Sequence, residues 1–243
     1  MTIDSDDKLA KLQTELAAMK AEHREFVYKV THDLLGPFRQ IEGFANIILS
    51  SHGDLFDEKS RRHFDLIISG SQKGREILEA LQGYSRLITA DFSRTTVDCS
   101  DIIAEVKTEL ASLIEKDDAI ISCDGAPIIF GNRTELYLLF YHLIHNALHF
   151  QSAGNSPLVS IEVEKSDTDW QFCVQDNGIG FREKMADRIF TVLKRGVSDK
   201  NYPGMGMGLA IARAVVQRHG GKIWSTTEPG KGSSFYFTIS KVA

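Results

Sequence analysis

The sequence predicts a two-part α + α/β protein, an antiparallel helical hairpin followed by an α/β layered domain. Three observations predict it. Apolar residues keep a helical period from Leu9 to Ile48 and again from about Asp57 to Thr89, with a polar break at Ser50–Asp54 between them. Beyond residue 96 the pattern changes to short apolar runs alternating with helical stretches. Glycine clusters then punctuate the last third of the chain, at 178–180, 204–208, 220–221 and 230–232. With 243 residues and 42% hydrophobic content, the chain can bury a core in each part.

In the first helix Leu9, Leu12, Leu16, Met19, Phe26 and Val30 recur at alternating spacings of three and four, with His23 in the one skipped place. This is a heptad seam, and Lys, Glu and Gln crowd the other faces. A lone helix would leave the seam exposed, so the hairpin is expected to pair with a second copy as a four-helix bundle. A helix packed only on its own domain is the plainer alternative. The period continues through Ile41, Phe44, Ile47 and Ile48. Pro37 lies inside it, removes one backbone hydrogen bond and is expected to bend the axis. The second helix carries Phe64, Ile67, Ile68, Ile77, Leu78, Leu81 and Leu87 on its apolar side.

The helical period is lost at 90–96, which reads as a short linker. A strand is expected to begin at Val97, then a helix over Ser100–Ile114 and short strands at Ala119–Cys123 and Pro127–Gly131. A helix over Asn132–Phe150 opens on an N-cap asparagine with Glu135 three residues on, a capping pair. Strands Val159–Glu164 and Trp170–Gln175 flank a polar turn, and a helix over Leu209–His219 stops at Gly220–Gly221. Strands Lys222–Thr227 and Ser233–Ser240 follow. The expected domains are an N-terminal signal helix at 1–19, a hairpin domain at 20–90, a linker at 91–96 and an α/β domain at 97–243.

Composition narrows the function. A net charge of −5 with both signs scattered offers no basic stripe for nucleic acid. No stretch approaches the roughly 18 apolar residues of a membrane span, and the acidic N-terminus is unlike a secretory signal. Cys99, Cys123 and Cys173 are odd in number and lack metal-ligand spacing, so they read as reduced thiols in a cytoplasmic protein.

Four motifs carry chemistry. His32 lies in Thr31-His32-Asp33-Leu34-Leu35-Gly36-Pro37, where Asp33 can hold one ring N–H and fix the tautomer of a nucleophilic imidazole. Asn146 shares a helix face with His142 and His149, and its carboxamide oxygen suits the octahedral oxygen shell of Mg²⁺. Asp176 ends a strand and is followed by Gly178 and Gly180, which permit positive φ and a close approach of ligand to backbone. Gly204, Gly206 and Gly208 precede a helix beginning near Leu209, whose first amides can face anionic phosphates. Between the glycine motifs, residues 181–203 carry Lys184, Arg188, Lys194, Arg195 and Lys200 with few apolar anchors, a candidate lid. Each motif alone is weak, since a helical histidine is usually solvated and D-x-G-x-G is often only a turn. Their order and spacing make the case for a nucleotide fold.

In that order the motifs resemble those of sensor histidine kinases. Residues 97–243 are similar to the catalytic, ATP-binding domain of these enzymes, within the GHKL ATPase superfamily, and 20–90 to their dimerisation and histidine-phosphotransfer domain. Asp176–Gly180, Gly220–Trp224 and Glu228–Phe235 are especially similar to phytochrome-associated kinases. The resemblance implies that ATP phosphorylates His32, that Asn146 holds Mg²⁺, that Asp176 reads adenine, and that His149, Lys194 and Arg195 help hold the nucleotide. It also implies a homodimer, a response-regulator receiver domain as phosphoryl acceptor and a separate sensor or upstream protein as input.

Four positions depart from the family pattern. His142 stands where Asn is common, His149 where Lys is common, Leu193 where a second Phe is common and Gly36 where Thr or Asn is common. The two histidines are expected to weaken Mg·ATP binding or make it pH-dependent, and Gly36 to leave phosphatase activity weak or absent. His23, His52, His63, His145 and His219 are assigned no chemistry. Two other functions stay open: a degenerate kinase acting as a nucleotide-binding scaffold or phosphotransfer adaptor, and a GHKL ATPase that drives clamp motion. The latter would want a carboxylate base where His142 stands.

Overall fold

A computed structural model describes residues 2–196, Tyr202 and 204–241. The chain forms two compact units, Met1–Ala90 and Asp91–Ala243. Among the described residues no helix is long and apolar enough to cross a membrane.

The first unit is a hairpin of α1 (Thr2–His52) and α2 (Glu58–Thr89), joined by a 3₁₀ turn at Gly53–Leu55. Asp57 caps α2 by accepting the Ser60 N–H at 2.8 Å. Helical assignment continues through Pro37, so its missing N–H does not end α1. Val27, Thr31 and Ala45 of α1 and Ser71, Leu78 and Ser85 of α2 are buried. Glu42 accepts from Gln72 at 3.0 Å and lies 3.8 Å from Arg75, tying the helices midway. The heptad residues face away from this seam: Leu16 is 52% exposed, Met19 65% and Phe26 65%. The Leu9 side chain lies outside those described.

The second unit opens with β1 (Thr95–Asp98), two residues earlier than the sequence suggests. The helix expected over 100–114 is broken. It forms α3 (Cys99–Glu109) and α4 (Ala111–Lys116), because Leu110 leaves helical geometry at ψ 10° with its side chain 4% exposed in the core. Strands β2 (Ile120–Cys123) and β3 (Ile128–Gly131) do not pair with one another. β3 pairs antiparallel with β1, while β2 lies parallel to β4 (Leu158–Lys165). Between them runs α5 (Arg133–His149), capped by Asn132, which accepts the Glu135 N–H at 3.1 Å. The main sheet adds β5 (Asp169–Asp176), β6 (Ile223–Glu228) and β7 (Gly232–Ser240) in the order β2-β4-β5-β7-β6, and α6 (Gly208–Arg218) precedes β6.

One face of this sheet is the core. Phe172 of β5 stacks on Phe237 of β7 at 4.8 Å, and Phe140 of α5 meets both edge-on. All three are essentially buried, each contributing roughly 1.5–3 kcal/mol by burial. The other face is wetter. There Trp224 stacks on its cross-strand partner Tyr236 at 5.5 Å. At the end of the core face Lys165 and Lys241 lie 5.5 and 4.9 Å over the Trp170 ring.

Candidate functional site

Thr31 and His32 turn to different faces of α1. Thr31 is fully buried and its hydroxyl donates to Val27 O at 2.8 Å, while the His32 side chain is 68% exposed. Tyr28, one turn earlier, stacks on the imidazole at 6.0 Å. His32 Nδ1 lies 3.2 Å from Asp33 Oδ1. A proton shared on that side leaves the lone pair at Nε2, facing outward. At Gly36, one turn on, a Cβ would meet nothing within 4 Å, so the helix surface there is bare.

In the second unit the C-terminal half of α5, the end of β5 and the start of α6 are stitched together. Phe150 O, just past α5, accepts the Ile179 N–H at 3.0 Å, and a Cβ on Gly178 would run into that same carbonyl. A Cβ on Gly208 would come 3.0 Å from the His142 ring, so the first turn of α6 rests on α5. Leu193 N–H donates to Gly206 O at 3.1 Å, joining the second half of the lid segment to the glycine loop. Gly180 and Gly206 hold positive φ, at 59° and 71°. What demands glycine at 178, 180, 206 and 208 is the protein's own backbone and the His142 ring, not open space. Gly204 is open, with nothing within 4 Å of a Cβ.

Asn146 is partly exposed on α5, and among the described residues its carboxamide makes no hydrogen bond. His149, one turn later, stands edge-on to Phe150 and Tyr202, and the Tyr202 hydroxyl donates to Gln151 O at 2.9 Å. Arg195 donates to Tyr202 O, which brings it to the same cluster. Leu209 lies in the first turn of α6, and Lys194 is held by its N–H to Thr191 O at 3.0 Å. Lys200 lies outside the described residues.

Asp176 is 9% exposed at the end of β5. Burial pushes its carboxyl up to about 6, although the N–H groups of Gly178 (2.8 Å) and Ser233 (3.2 Å) both donate to Oδ1 and favour the ion. Among the described residues the second oxygen, Oδ2, accepts no hydrogen bond. Thr227 binds the D-x-G-x-G loop from β6, accepting the Phe181 N–H at 3.0 Å. Neither Thr227 nor Ser233 has a motif around it. Their signal is only the cross-strand register Thr227↔Ser233 beside Asp176.

Residues 131–243 match the family model described as Histidine kinase-, DNA gyrase B-, and HSP90-like ATPase. Cyanobacterial phytochrome B of Nostoc sp. is 32% identical over 244 residues, covering 100% of this chain and 32% of its own length. The chain is built as the catalytic core of a histidine kinase, with a GHKL-type ATPase domain. It spans about a third of the length of the curated relatives it matches. Full-length ShkA in complex with AMPPNP has the same fold at TM-score 0.64 and 20% identity, over 90% of this chain and 46% of that one. So does the histidine kinase ThkA in complex with the response regulator protein TrrA, at 0.61 and 18%, over 95% and 66%.

Two histidines of this ATPase domain are held neutral by burial. His142 is pushed down to about 4, with His145 as a lesser cause. It stays uncharged near neutral pH, so the pH dependence expected from it does not arise. His219 is fully buried and also pushed down to about 4. Its Nδ1–H donates to Val215 O at 2.8 Å and its Nε2 accepts the Asn132 N–H at 3.0 Å, a structural role. Around it Arg218 pairs with buried Glu135 at 3.0 Å, and Phe92 packs between His219, Arg218 and Arg94. Asn132 also donates to Ser93 O at 3.1 Å. Residues 92–94 thus clasp the N-terminal end of α5 and the C-terminal end of α6.

Proposed function

We propose that the chain is an ATP-dependent protein-histidine kinase that phosphorylates His32 and passes the phosphoryl group to an aspartate of a response-regulator receiver domain. The observation that carries this reading is the pairing, in one chain, of an outward-facing His32 held through Nδ1 by Asp33 with a GHKL-type ATPase domain. The Nε2 lone pair attacks the γ-phosphorus in line, the bond to the β-phosphate oxygen breaks, and ADP leaves. Asp33 stabilises the imidazolium as positive charge develops. The complex that ThkA forms with the response regulator protein TrrA supports a receiver domain as next acceptor.

Within the ATPase domain, Asp176 would accept the adenine amino group through its second oxygen, and the Asn146 carboxamide, which makes no hydrogen bond among the described residues, would complete the oxygen shell of Mg²⁺, which neutralises phosphate charge. The α6 N-terminus at Gly208–Leu209, with Gly204 and Gly206 ahead of it, would face the phosphates, and His149, Lys194 and Arg195 would line them. Gly178 and Gly180 shape the loop beneath the base. We further assign 1–19 to a signal helix, 20–90 to dimerisation and phosphotransfer, and 97–243 to catalysis. Residues 91–96 join them, and instead of the expected linker they pack on the ATPase domain and begin its β1. The bare surface at Gly36 supports weak phosphatase activity.

Incubation with γ-labelled ATP tests the reading. Acid-labile, alkali-stable label is expected on the protein and lost in His32→Gln and Asn146→Ala. AMPPNP binding without label would make the chain a nucleotide-binding scaffold, and phosphate release without label an ATPase.

A further inference from the structure

His145 and His149 form an H-x-x-x-H pair on α5, the i, i+4 spacing that places two imidazoles on one helix face. Their rings lie 5.6 Å apart at 18°, and both residues are partly exposed. They continue a column in which Tyr137 stacks on Tyr141 at 6.1 Å and Tyr141 on His145 at 5.7 Å. The phenols need only packing, whereas the two imidazoles add paired nitrogen donors. The His χ2 torsion is broad, so both rings can turn a nitrogen toward one point without leaving their helical positions. Among the described residues no group of three His, Cys, Asp or Glu is placed to hold a metal. Any ion here would therefore take two protein ligands and keep its other positions for water or phosphate.

We propose that His145 and His149 are a two-imidazole site for a borderline transition-metal dication such as Cu²⁺, Ni²⁺ or Zn²⁺, distinct from the oxygen-lined position assigned to Mg²⁺. Imidazole selects these ions over Mg²⁺, which takes hard oxygen ligands, and the affinity order places Cu²⁺ first. The two histidines straddle Asn146 in sequence, so their occupant would lie near the level of the nucleotide's metal along the helix axis, on a neighbouring face. Since we also place His149 beside the phosphates, a bound dication is expected to compete with nucleotide. That second effect rests on the proposed nucleotide site.

Calorimetric titration of the full chain with CuCl₂ in excess Mg²⁺ tests the site. One ion per chain is expected, with affinity reduced at least tenfold in His145→Ala and in His149→Ala, and with a nitrogen-coordinated Cu²⁺ spectrum in wild type that both variants lose. Unchanged affinity or spectrum in His145→Ala overturns the proposal, provided that variant keeps wild-type far-UV dichroism. With ZnCl₂ the AMPPNP dissociation constant should rise severalfold in wild type and stay fixed in His145→Ala. A rise equal in both would place the competing ion elsewhere. If AMPPNP fails to bind at all, the nucleotide assignment falls while the copper titration still decides the site.

Discussion

Asp176 is the residue at which fold stability and ligand binding oppose one another. Its carboxyl titrates at about 6 in the fold instead of 3.8, because burial outweighs two N–H donors. The ionised form therefore costs the unliganded fold free energy that is fully felt above about pH 6 and gone below 3.8. The shift corresponds to a cost on the order of 3 kcal/mol at most. Asp176→Asn should accordingly raise unliganded stability near pH 7 by about 1–3 kcal/mol, an advantage that shrinks to nothing toward pH 4 in melts across that range. The same substitution should weaken AMPPNP binding at least a hundredfold, since an amide presents the adenine amino group with a donor as readily as an acceptor. In wild type, AMPPNP affinity should fall as pH drops below 6, measured by fluorescence titration at fixed Mg²⁺. His32, Asn146 and Asp176 stand out in the sequence because each sits in a spaced pattern of rare residue types. Thr227 and Ser233 do not, because what they contribute is a hydroxyl and a backbone N–H delivered by strand register. His142 illustrates a different gap: its identity is plain in the sequence, but its neutrality comes from being packed under α6.

Among the elements, α5 and α6 bear the site at one end and the clasp at the other. Phe92 is held by two guanidinium groups at 5.1 and 4.8 Å and by the edge of His219, on top of a buried Glu135–Arg218 pair. Phe92→Ala should cost about 2–4 kcal/mol, visible as an earlier denaturant midpoint, while Phe92→Tyr should lose little. The turn from α6 into β6 is stricter. A Cβ on Gly221 would collide with Thr238 O, a backbone atom, so Gly221→Ala should lower the melting temperature by roughly 10 °C or prevent folding. Helix limits and the Gly220–Gly221 stop are legible in the sequence because caps and glycines act locally. The pairing of β2 with β4 and of β3 with β1 is not, since apolar alternation sets which face a strand buries and says nothing of its neighbour. The break at Leu110 is likewise a tertiary decision, taken to bury one leucine.

At the scale of the whole molecule, the two units solve burial differently. The ATPase domain closes its core within one chain, through Phe140, Phe172 and Phe237, whereas the hairpin leaves Leu16, Met19 and Phe26 uncovered. A stripe of this kind supports pairing with a second copy. Light scattering should report a dimer, and Leu16→Glu with Phe26→Glu should shift it to monomer without loss of AMPPNP binding. Division into a helical and a layered part is visible in the sequence through the change of hydrophobic period, because each period reports the local geometry of its own element.

The placement of the aromatic side chains has a practical consequence. Both tryptophans, Trp170 and Trp224, belong to the sheet of the ATPase domain, and the hairpin has none. Tryptophan emission therefore watches one unit alone, while ellipticity at helical wavelengths is dominated by the long pair α1 and α2. In a guanidinium titration the two signals give each unit its own denaturation curve, from a single sample and without a label.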